Sequence, residues 1–327
     1  MMKYYLPFEK AIAELDKKIQ EIEQECLLKK IDQSDEISLL KQELAETIHT
    51  AYSHITPWET VLIARHPERP KLIDYIRYLI PDYVYFCGDR HGFEDSAIYG
   101  AMGTFLNQPI MVIGHNKGKD TKENIQNNFG MPNPEGYRKA IRLMHLAEKF
   151  HCPVVLLVDT QGAYPGIAAE EHGQSEAIAY NLRELFTIQV PILVIITGEG
   201  GSGGALGIGI GDKVLMLQYA IYSVISPESC SNILYRDISK ASQFSERLKI
   251  TSQDLLSFGL IDDILQEPPG GAHRDPKAVM DAMKNEIQFF LDEQLPLQNQ
   301  TRLTQRSEKF LKMASYETTL NLFQSQS

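Results

Sequence analysis

From Phe8 onward the apolar positions Phe8, Ile12, Leu15, Ile19, Ile22 and Cys26 recur at alternating spacings of four and three, with charged residues between them. That pattern predicts a helix with a single apolar seam. The polar break IDQSDE separates it from a second stripe at Ile37, Leu40, Leu44, Ile48, Ala51 and Ile55, after which Pro57 stops helical continuation. Two seams joined by a short polar connector predict a helical hairpin over residues 1–56. Its seam clamps onto the rest of the chain or onto a partner, and the pattern leaves both open.

Beyond Pro57 the period shortens, with strands expected over 83–87, 97–105 and 109–113; Leu106-Asn107-Gln108 forms the tight connection between the last two. A helix over 134–150 begins at the turn PNPEG, and the wholly apolar strand 154–158 ends in Asp159-Thr160. The loop GAYPG then leads into a long helix over 170–186, followed by a buried strand over 192–197 and a glycine cluster. Two successive units of apolar strand, glycine loop and helix predict an α/β fold around parallel strands, with ligands at the strands' carboxyl ends. Further strands are expected over 213–217 and 221–225, and helices from Pro227 through SPESCSNILY, over 251–258 and over 276–294. The turn-rich segment EPPGGAHRDP separates the core from that last helix. The division is therefore hairpin 1–56, main domain 57–296 and a polar tail 297–327 with at most one amphipathic helix.

A chain of 327 residues with 43% hydrophobic composition can bury a substantial core. Its net charge of −11, from 32 basic and 43 acidic residues, argues against a broad basic face for nucleic acid. The start MMKYYLPFEK lacks an apolar signal core and no run suits a bilayer, so the chain is expected in the cytoplasm, without membrane contact. Cys26, Cys87, Cys152 and Cys230 lie far apart without a C-x-x-C pair and are expected as buried, reduced thiols; no metal-ligand pattern is encoded.

The chemistry concentrates in ILVIITGEGGSGGALGIGIG, residues 192–211, where a strand meets a glycine cluster that opens a small-residue helix. Bare glycine backbone and a helix start together present unpaired N–H donors to a negative charge. Gly198, Gly200 and Gly203 fit a dinucleotide fingerprint, but the next strand ends in Gln218-Tyr219 and not in the acid a ribose requires. Residues 114–119 resemble a phosphate loop one residue too short, with Asp120 where Ser or Thr should stand. Gly200, Ser202 and Gly204 fit the elbow of a serine hydrolase, and Asp262 or Asp263 and His273 follow in the right chain order. Against it, His273 sits in a proline-rich turn beside Arg274 and Asp275, where a solvated histidine is the commoner case.

The hydrolase reading leaves the second glycine loop, Gly162-Ala163-Tyr164-Pro165-Gly166, without a role. Two such loops at neighbouring strand ends can aim paired N–H donors at one developing oxyanion. Taken alone, either loop is explained by tight turns and close helix packing; the pair favours function.

The segments GDRHGFEDSAI, VIGHNKGKDTKENIQNNFGMPNPEGYRKAIRLM, DTQGAYPGIAAEEHGQSEAIA, GEGGSGGALGIGIGDKVLMLQYAIYSVISPESC and PPGGAHRDP resemble the α subunits of bacterial and plastid acetyl-CoA carboxylase carboxyltransferase. The likeness covers nearly the whole chain, the N-terminal helical pair included. It implies a ClpP/crotonase-like fold of repeated ββα units in an α2β2 assembly with a β subunit. The implied reaction moves a carboxyl group from carboxybiotin, held on a biotin carboxyl carrier protein and supplied by biotin carboxylase, to acetyl-CoA, giving malonyl-CoA for fatty acid synthesis. The resemblance places a zinc site in the β subunit only. It assigns the backbone N–H groups of Gly203, Gly204, Gly162 and Ala163 to an oxyanion hole on the biotin side, with Gly200, Gly201, Tyr164, Pro165 and Gly166 near the carboxybiotin. One departure is Gln161, where the family has proline; it adds an N–H donor and some freedom to that loop. The basic segment 117–122 is open to two readings: a steering patch for CoA phosphates or an acidic carrier, and a solvated loop.

Overall fold

The computed structural model describes residues 3–313. Eight strands form one mixed sheet: β1 (Val84–Tyr85), β2 (Ile98–Phe105), β3 (Gln108–His115), β4 (Val154–Thr160), β5 (Ile192–Gly201), β6 (Lys213–Leu217), β7 (Ile221–Ser223) and β8 (Asp263–Leu265). Their order is β1-β2-β3-β4-β5-β6-β8, with β7 paired to the end of β5. The first three strands are antiparallel neighbours, whereas β3 through β6, and β8, run parallel. The near-continuous apolar sequences of β4 and β5 follow from that position, since central parallel strands are covered on both faces.

Gly100 pairs with Ile113 and Gly114 with Tyr99, so these two glycines stand on opposite faces of the sheet. A Cβ on Gly100 would collide with Leu143 of the Pro134–Lys149 helix, and one on Gly114 would lie 2.8 Å from Leu72 of the Leu72–Leu79 helix. Each glycine lets one covering helix approach closely.

The elements that place the site depart from the sequence-based expectation in two ways. The expected helix over 170–186 is broken by Gly173, whose φ of 84° ends Ile167–Glu171 and starts Gln174–Leu185. The strand expected to stop at residue 197 continues to Gly201, so most of the glycine cluster is strand and not loop. There β5 leaves β6 and pairs with β7 through Glu199, Gly200 and Gly201. Elsewhere the strands 83–87 and 221–225 shorten to Val84–Tyr85 and Ile221–Ser223, and of the four cysteines expected to be buried only Cys152 is, with Cys87 exposed and Cys26 and Cys230 half-buried. Helices Pro57–Ala64, Leu72–Leu79 and Ala241–Arg247 and strand β8 carry too short a pattern to stand out in sequence.

The hairpin is formed by α1 (Lys10–Lys29) and α2 (Ser34–Tyr52), and its base is fixed to the body. Glu9, fully buried, accepts hydrogen bonds from the Leu6 N–H at 2.8 Å and the Tyr52 hydroxyl at 2.9 Å, and Arg274 lies 3.5 Å away. Tyr52 also packs edge-on against Tyr219. At the far end Leu27, Leu28, Ile31 and Leu39 are exposed. The seam therefore docks partly on its own chain and leaves an apolar tip uncovered.

Two segments expected to be peripheral are built into the core. Glu267 of EPPGGAHRDP is buried and receives a bidentate Arg69 at 2.7 and 2.8 Å, the Tyr219 N–H and the Ala272 N–H. His273 stacks on His66 with ring centroids 3.7 Å apart, so it is not a solvated loop histidine. The expected tail from residue 297 begins with a docked helix, Asn299–Met313. Its buried Arg306 donates to both Asp212 oxygens at 2.8 and 2.9 Å and to the carbonyls of Leu185, Ile188 and Val190. Five bonds satisfy the guanidinium, which makes its burial tolerable. The rest of the tail, 314–327, lies outside the described residues. Among the described residues no helix is long and apolar enough to cross a membrane.

Candidate active site

The site is made by a local failure of register between β4 and β5. Val158 pairs with Ile196, but the next pair is Thr160 with Gly200, so β5 carries extra residues at Thr197–Glu199. A bulge re-aims the chain where pairing is interrupted. The Asp159 carboxylate fills the gap by accepting the Glu199 N–H at 2.9 Å. Gly198 is required for that, because a Cβ there would lie 2.7 Å from the Asp159 Cγ. Space for a carboxylate, not a dinucleotide, accounts for the first glycine of the cluster.

Past the bulge the two glycine loops meet backbone to backbone. A Cβ on Gly201 would strike the Gln161 carbonyl, and one on Gly204 would overlap the Gly162 carbonyl carbon and lie 2.5 Å from the Ala163 nitrogen. The remaining glycines make room for aromatic walls. Gly200 lies under Tyr222, with 2.7 Å left for a Cβ, and Gly166 lies under the Tyr164 ring. The Gln174 carboxamide holds the 162–166 loop by donating to the carbonyls of Pro132 at 2.8 Å and Tyr164 at 3.0 Å.

Between these loops and the Pro227–Tyr235 helix lies a cleft of about 810 Å³. Of the residues expected there, Gly162, Ala163, Tyr164, Pro165, Gly200, Gly201 and Gly203 line it, with Gln161 and Ser202. Gly204 is buried behind the surface, and Gly166 is not part of the lining. Gly203 and Gly204 occupy the first turn of the Ser202–Leu206 helix, where backbone N–H groups have no intrahelical acceptor. No acceptor among the described residues takes the N–H of Ala163, Gly203 or Gly204. Gly162 differs from the expectation, because its N–H donates to the Thr160 hydroxyl at 3.1 Å. It shapes the loop and has no free donor.

Ser202 has the geometry of an elbow residue, exposed and left-handed at φ 50°, but its proposed partners are elsewhere. His273 is stacked on His66, and Asp262 accepts the Val214 N–H at 2.6 Å and the Lys309 ammonium at 2.8 Å. Asp263 accepts the N–H of its neighbour Ile264. The triad required by the hydrolase reading is not assembled.

A chain of charges that the sequence did not reveal forms one wall. Glu228 and Glu199 flank Arg65, at 2.5 Å from Nη1 and 2.7 Å from Nε, and Glu199 and Asp159 flank Lys117, at 3.0 and 2.7 Å from Nζ. Burial disfavours the Lys117 ammonium, yet Asp159 and Glu199 outweigh it and raise its pKa above the usual lysine range. Asp159 is held below the ordinary carboxylate range because Lys117 and Lys71 overcome its own desolvation. Lys117 is thus an internal counter-ion and not part of a solvated basic loop. A charged residue closing an apolar strand, as Asp159 does, and an acid inside a glycine run, as Glu199 is, were available signals. Arg65 carried none.

Residues 5–314 match the family described as acetyl co-enzyme A carboxylase carboxyltransferase-like. The acetyl-coenzyme A carboxylase carboxyl transferase subunit alpha of Acidithiobacillus ferrooxidans is 48% identical over 307 residues, covering 94% of this chain and 96% of that protein. Its namesake from Geobacter metallireducens is 47% identical over 313 residues, covering 96% and 98%. Among solved structures, transcarboxylase 12S superposes with a TM-score of 0.57 at 16% identity, over 69% of this chain and 42% of that one. A chain of the Pseudomonas malonate decarboxylase hetero-dimer gives 0.58 at 13% identity, over 77% and 98%. At such identities the superpositions speak for the fold alone, which is the crotonase-like fold expected from sequence.

Proposed function

The chain belongs to the acetyl-coenzyme A carboxylase carboxyltransferase-like family, and we propose that it is the α half of a carboxyltransferase that converts acetyl-CoA to malonyl-CoA. The observation that carries this reading is the contact of Gly204 with Gly162 and Ala163, which brings two strand-end loops into one cleft. Ala163 and Gly203 both line the cleft with N–H groups that no acceptor among the described residues takes, and Gly204 lies behind them against Ala163. Such fixed donors stabilise an oxyanion without reorganising as charge develops.

In this reaction the carboxyl donor is a biotin-linked carboxylate and the acceptor an acyl-CoA. The N–H groups of Ala163 and Gly203, backed by Gly204, would hold the ureido oxygen of carboxybiotin, which would supply CO2 and a base for the acetyl methyl group. The acetyl methyl group would lose its proton to that base, and the thioester enolate so formed would attack CO2 to give malonyl-CoA. The substrate supplies the base, so this chain needs no serine–histidine pair, and its work is positioning and charge stabilisation. Tyr164, Pro165, Gly200 and Gly201 shape the seat of the biotin ring.

The second oxyanion belongs to a β subunit that closes the cleft. The Pro227–Tyr235 helix forms one cleft wall yet presents Ile233 and Leu234 to solvent, 71% and 62% exposed, beside Val224 at 78%. An apolar border around an open cleft suits a partner and not water. We assign the thioester pocket and a structural zinc site to that subunit, in an α2β2 assembly served by a biotin carboxyl carrier protein and biotin carboxylase in the cytoplasm.

Malonyl-CoA formation from acetyl-CoA and carboxybiotin is expected from the chain mixed with its β subunit and not from the chain alone. Full activity without the β subunit overturns the reading. Labelling of Ser202 by a fluorophosphonate probe would favour the hydrolase instead.

A further inference from the structure

A second, smaller cavity of about 210 Å³ adjoins the cleft and shares Arg65, Gln161 and Glu199 with it. Its lining holds three lysines, Lys71, Lys117 and Lys119, with Ala64, Pro67 and Phe129 among the apolar walls. The charges around it can be matched individually. Arg65 is paired with Glu199 and Glu228, Lys117 with Asp159 and Glu199, and Lys119 with Asp74 at 2.5 Å. Lys71 is left over. Its side chain is buried, with the residue only 9% exposed, and among the described residues no carboxylate or carbonyl lies within bonding distance of its ammonium.

The stem of Lys71 is packed away while its ammonium opens onto the cavity without a bound carboxylate, an arrangement suited to taking an anion there. Desolvation and the neighbouring Lys117 and Arg69 hold the Lys71 pKa below the usual lysine range, with Asp159 and Asp74 only partly opposing them. A bound anion supplies the missing counter-charge. The rim carries a second unusual feature: Asn128 and Phe129 are successive left-handed residues, φ 46° and 55°, and they hold the half-exposed Phe129 ring at the cavity.

We propose that this cavity is an oxyanion subsite, in which Lys71, aided by Lys119, binds a compact phosphate or carboxylate group carried by one of the substrates that meet in the adjoining cleft. Lys71 serves there as a binding residue and takes no part in bond making. A phosphate monoester at the nucleotide end of an acyl-CoA and a free or transferred carboxylate present the same chemistry to it. The geometry requires only that the group be small, anionic and rich in acceptor oxygens.

The test is binding to the full chain at constant ionic strength set with chloride. Inorganic phosphate, adenosine 3′,5′-bisphosphate and malonate are each titrated by calorimetry. Saturable binding of at least one probe is expected, weakened at least about tenfold by Lys71→Gln and retained by Lys71→Arg. Binding of the two phosphate probes alone assigns the subsite to a phosphate ester, and binding of malonate alone assigns it to a carboxylate. An independent readout needs no variant. Phosphate or malonate should protect Lys71 from acetylation by acetic anhydride, mapped by mass spectrometry, while exposed Lys122 stays reactive. No saturable binding of any probe, equal affinity in Lys71→Gln, or no protection of Lys71 overturns the proposal. Because these readouts require neither the β subunit nor turnover, their failure leaves the carboxyltransferase reading untouched.

Discussion

Gly204 and Ala163 belong to different strand-end loops, yet the backbones touch: a Cβ on Gly204 would lie 2.5 Å from the Ala163 nitrogen. Gly203, one residue earlier, is the opposite case. A Cβ there would meet only the end of Ile178, at 3.6 Å. The two glycines look equivalent in sequence and differ completely in what surrounds them.

That contrast sets the first expectation. Gly203→Ala should leave stability within about 0.5 kcal/mol of wild type, since it adds a methyl to open space at an ordinary helical φ. Gly204→Ala should cost about 1–3 kcal/mol, because backbone must move to admit the methyl. Urea unfolding of both variants checks this, and equal losses would contradict the packing.

Lys117 is the only cation in hydrogen-bond contact with both Asp159 and Glu199 among the described residues. Lys117→Met should destabilise the fold by about 3–5 kcal/mol, because it leaves the buried Asp159 carboxylate without a bonded counter-ion, while Glu199 keeps Arg65. Adding Asp159→Asn should recover part of that loss. The double-mutant cycle reads the coupling directly, and simple additivity would argue against the ion network.

The stacked rings of His66 and His273 make stability depend on pH. Burial and the nearby Arg69 and Arg274 lower the pKa of His66 to about 4, and burial with the facing His66 and Arg69 lowers that of His273 to about 2. Both rings are neutral in the folded chain at pH values where the unfolded chain binds protons. The unfolded state therefore gains protons first as pH falls below about 6.5, and stability declines from there toward pH 4. For His66 alone the loss between pH 7.5 and 5 is about 2 kcal/mol. Unfolding midpoints at pH 7.5 and 5 should differ accordingly, and less so in His66→Phe.

Arg306→Ala should undock the Asn299–Met313 helix at a cost of about 3–5 kcal/mol, because the Asp212 carboxylate loses both guanidinium bonds. Limited trypsin digestion should then cut at Arg302 or Lys309 before the sheet unfolds. Unchanged protease resistance would mean that the helix is held by something else.

The strands that bear the site were legible because β4 and β5 are long apolar runs with few competing readings. The meeting of the two loops was inferred from repetition of one pattern at neighbouring strands, and it rested on no single motif. Three things escaped the sequence for physical reasons. The bulge at Thr197–Glu199 depends on how Asp159 fills a gap across strands, which no local pattern encodes. The wall of charges joins Arg65 to Glu199 and Glu228 over more than a hundred residues. Arg306 gives a polar helix its anchor, and a hydrophobic pattern cannot register a guanidinium buried by five hydrogen bonds. The misplaced end of β5 has the same origin, since glycine reads as a strand breaker unless a partner such as β7 is known.

The central claim is that backbone donors held together at Gly204 carry the chemistry, and the Ser202 hydroxyl does not. Its most direct test is the rate of malonyl-CoA formation by the chain reconstituted with its β subunit, compared for wild type, Gly204→Ala and Ser202→Ala. Ser202→Ala should retain activity within about threefold, and Gly204→Ala, folded at the assay temperature, should lose about a hundredfold or more as the donors are displaced. Full activity in Gly204→Ala, or complete loss in Ser202→Ala, would contradict the account.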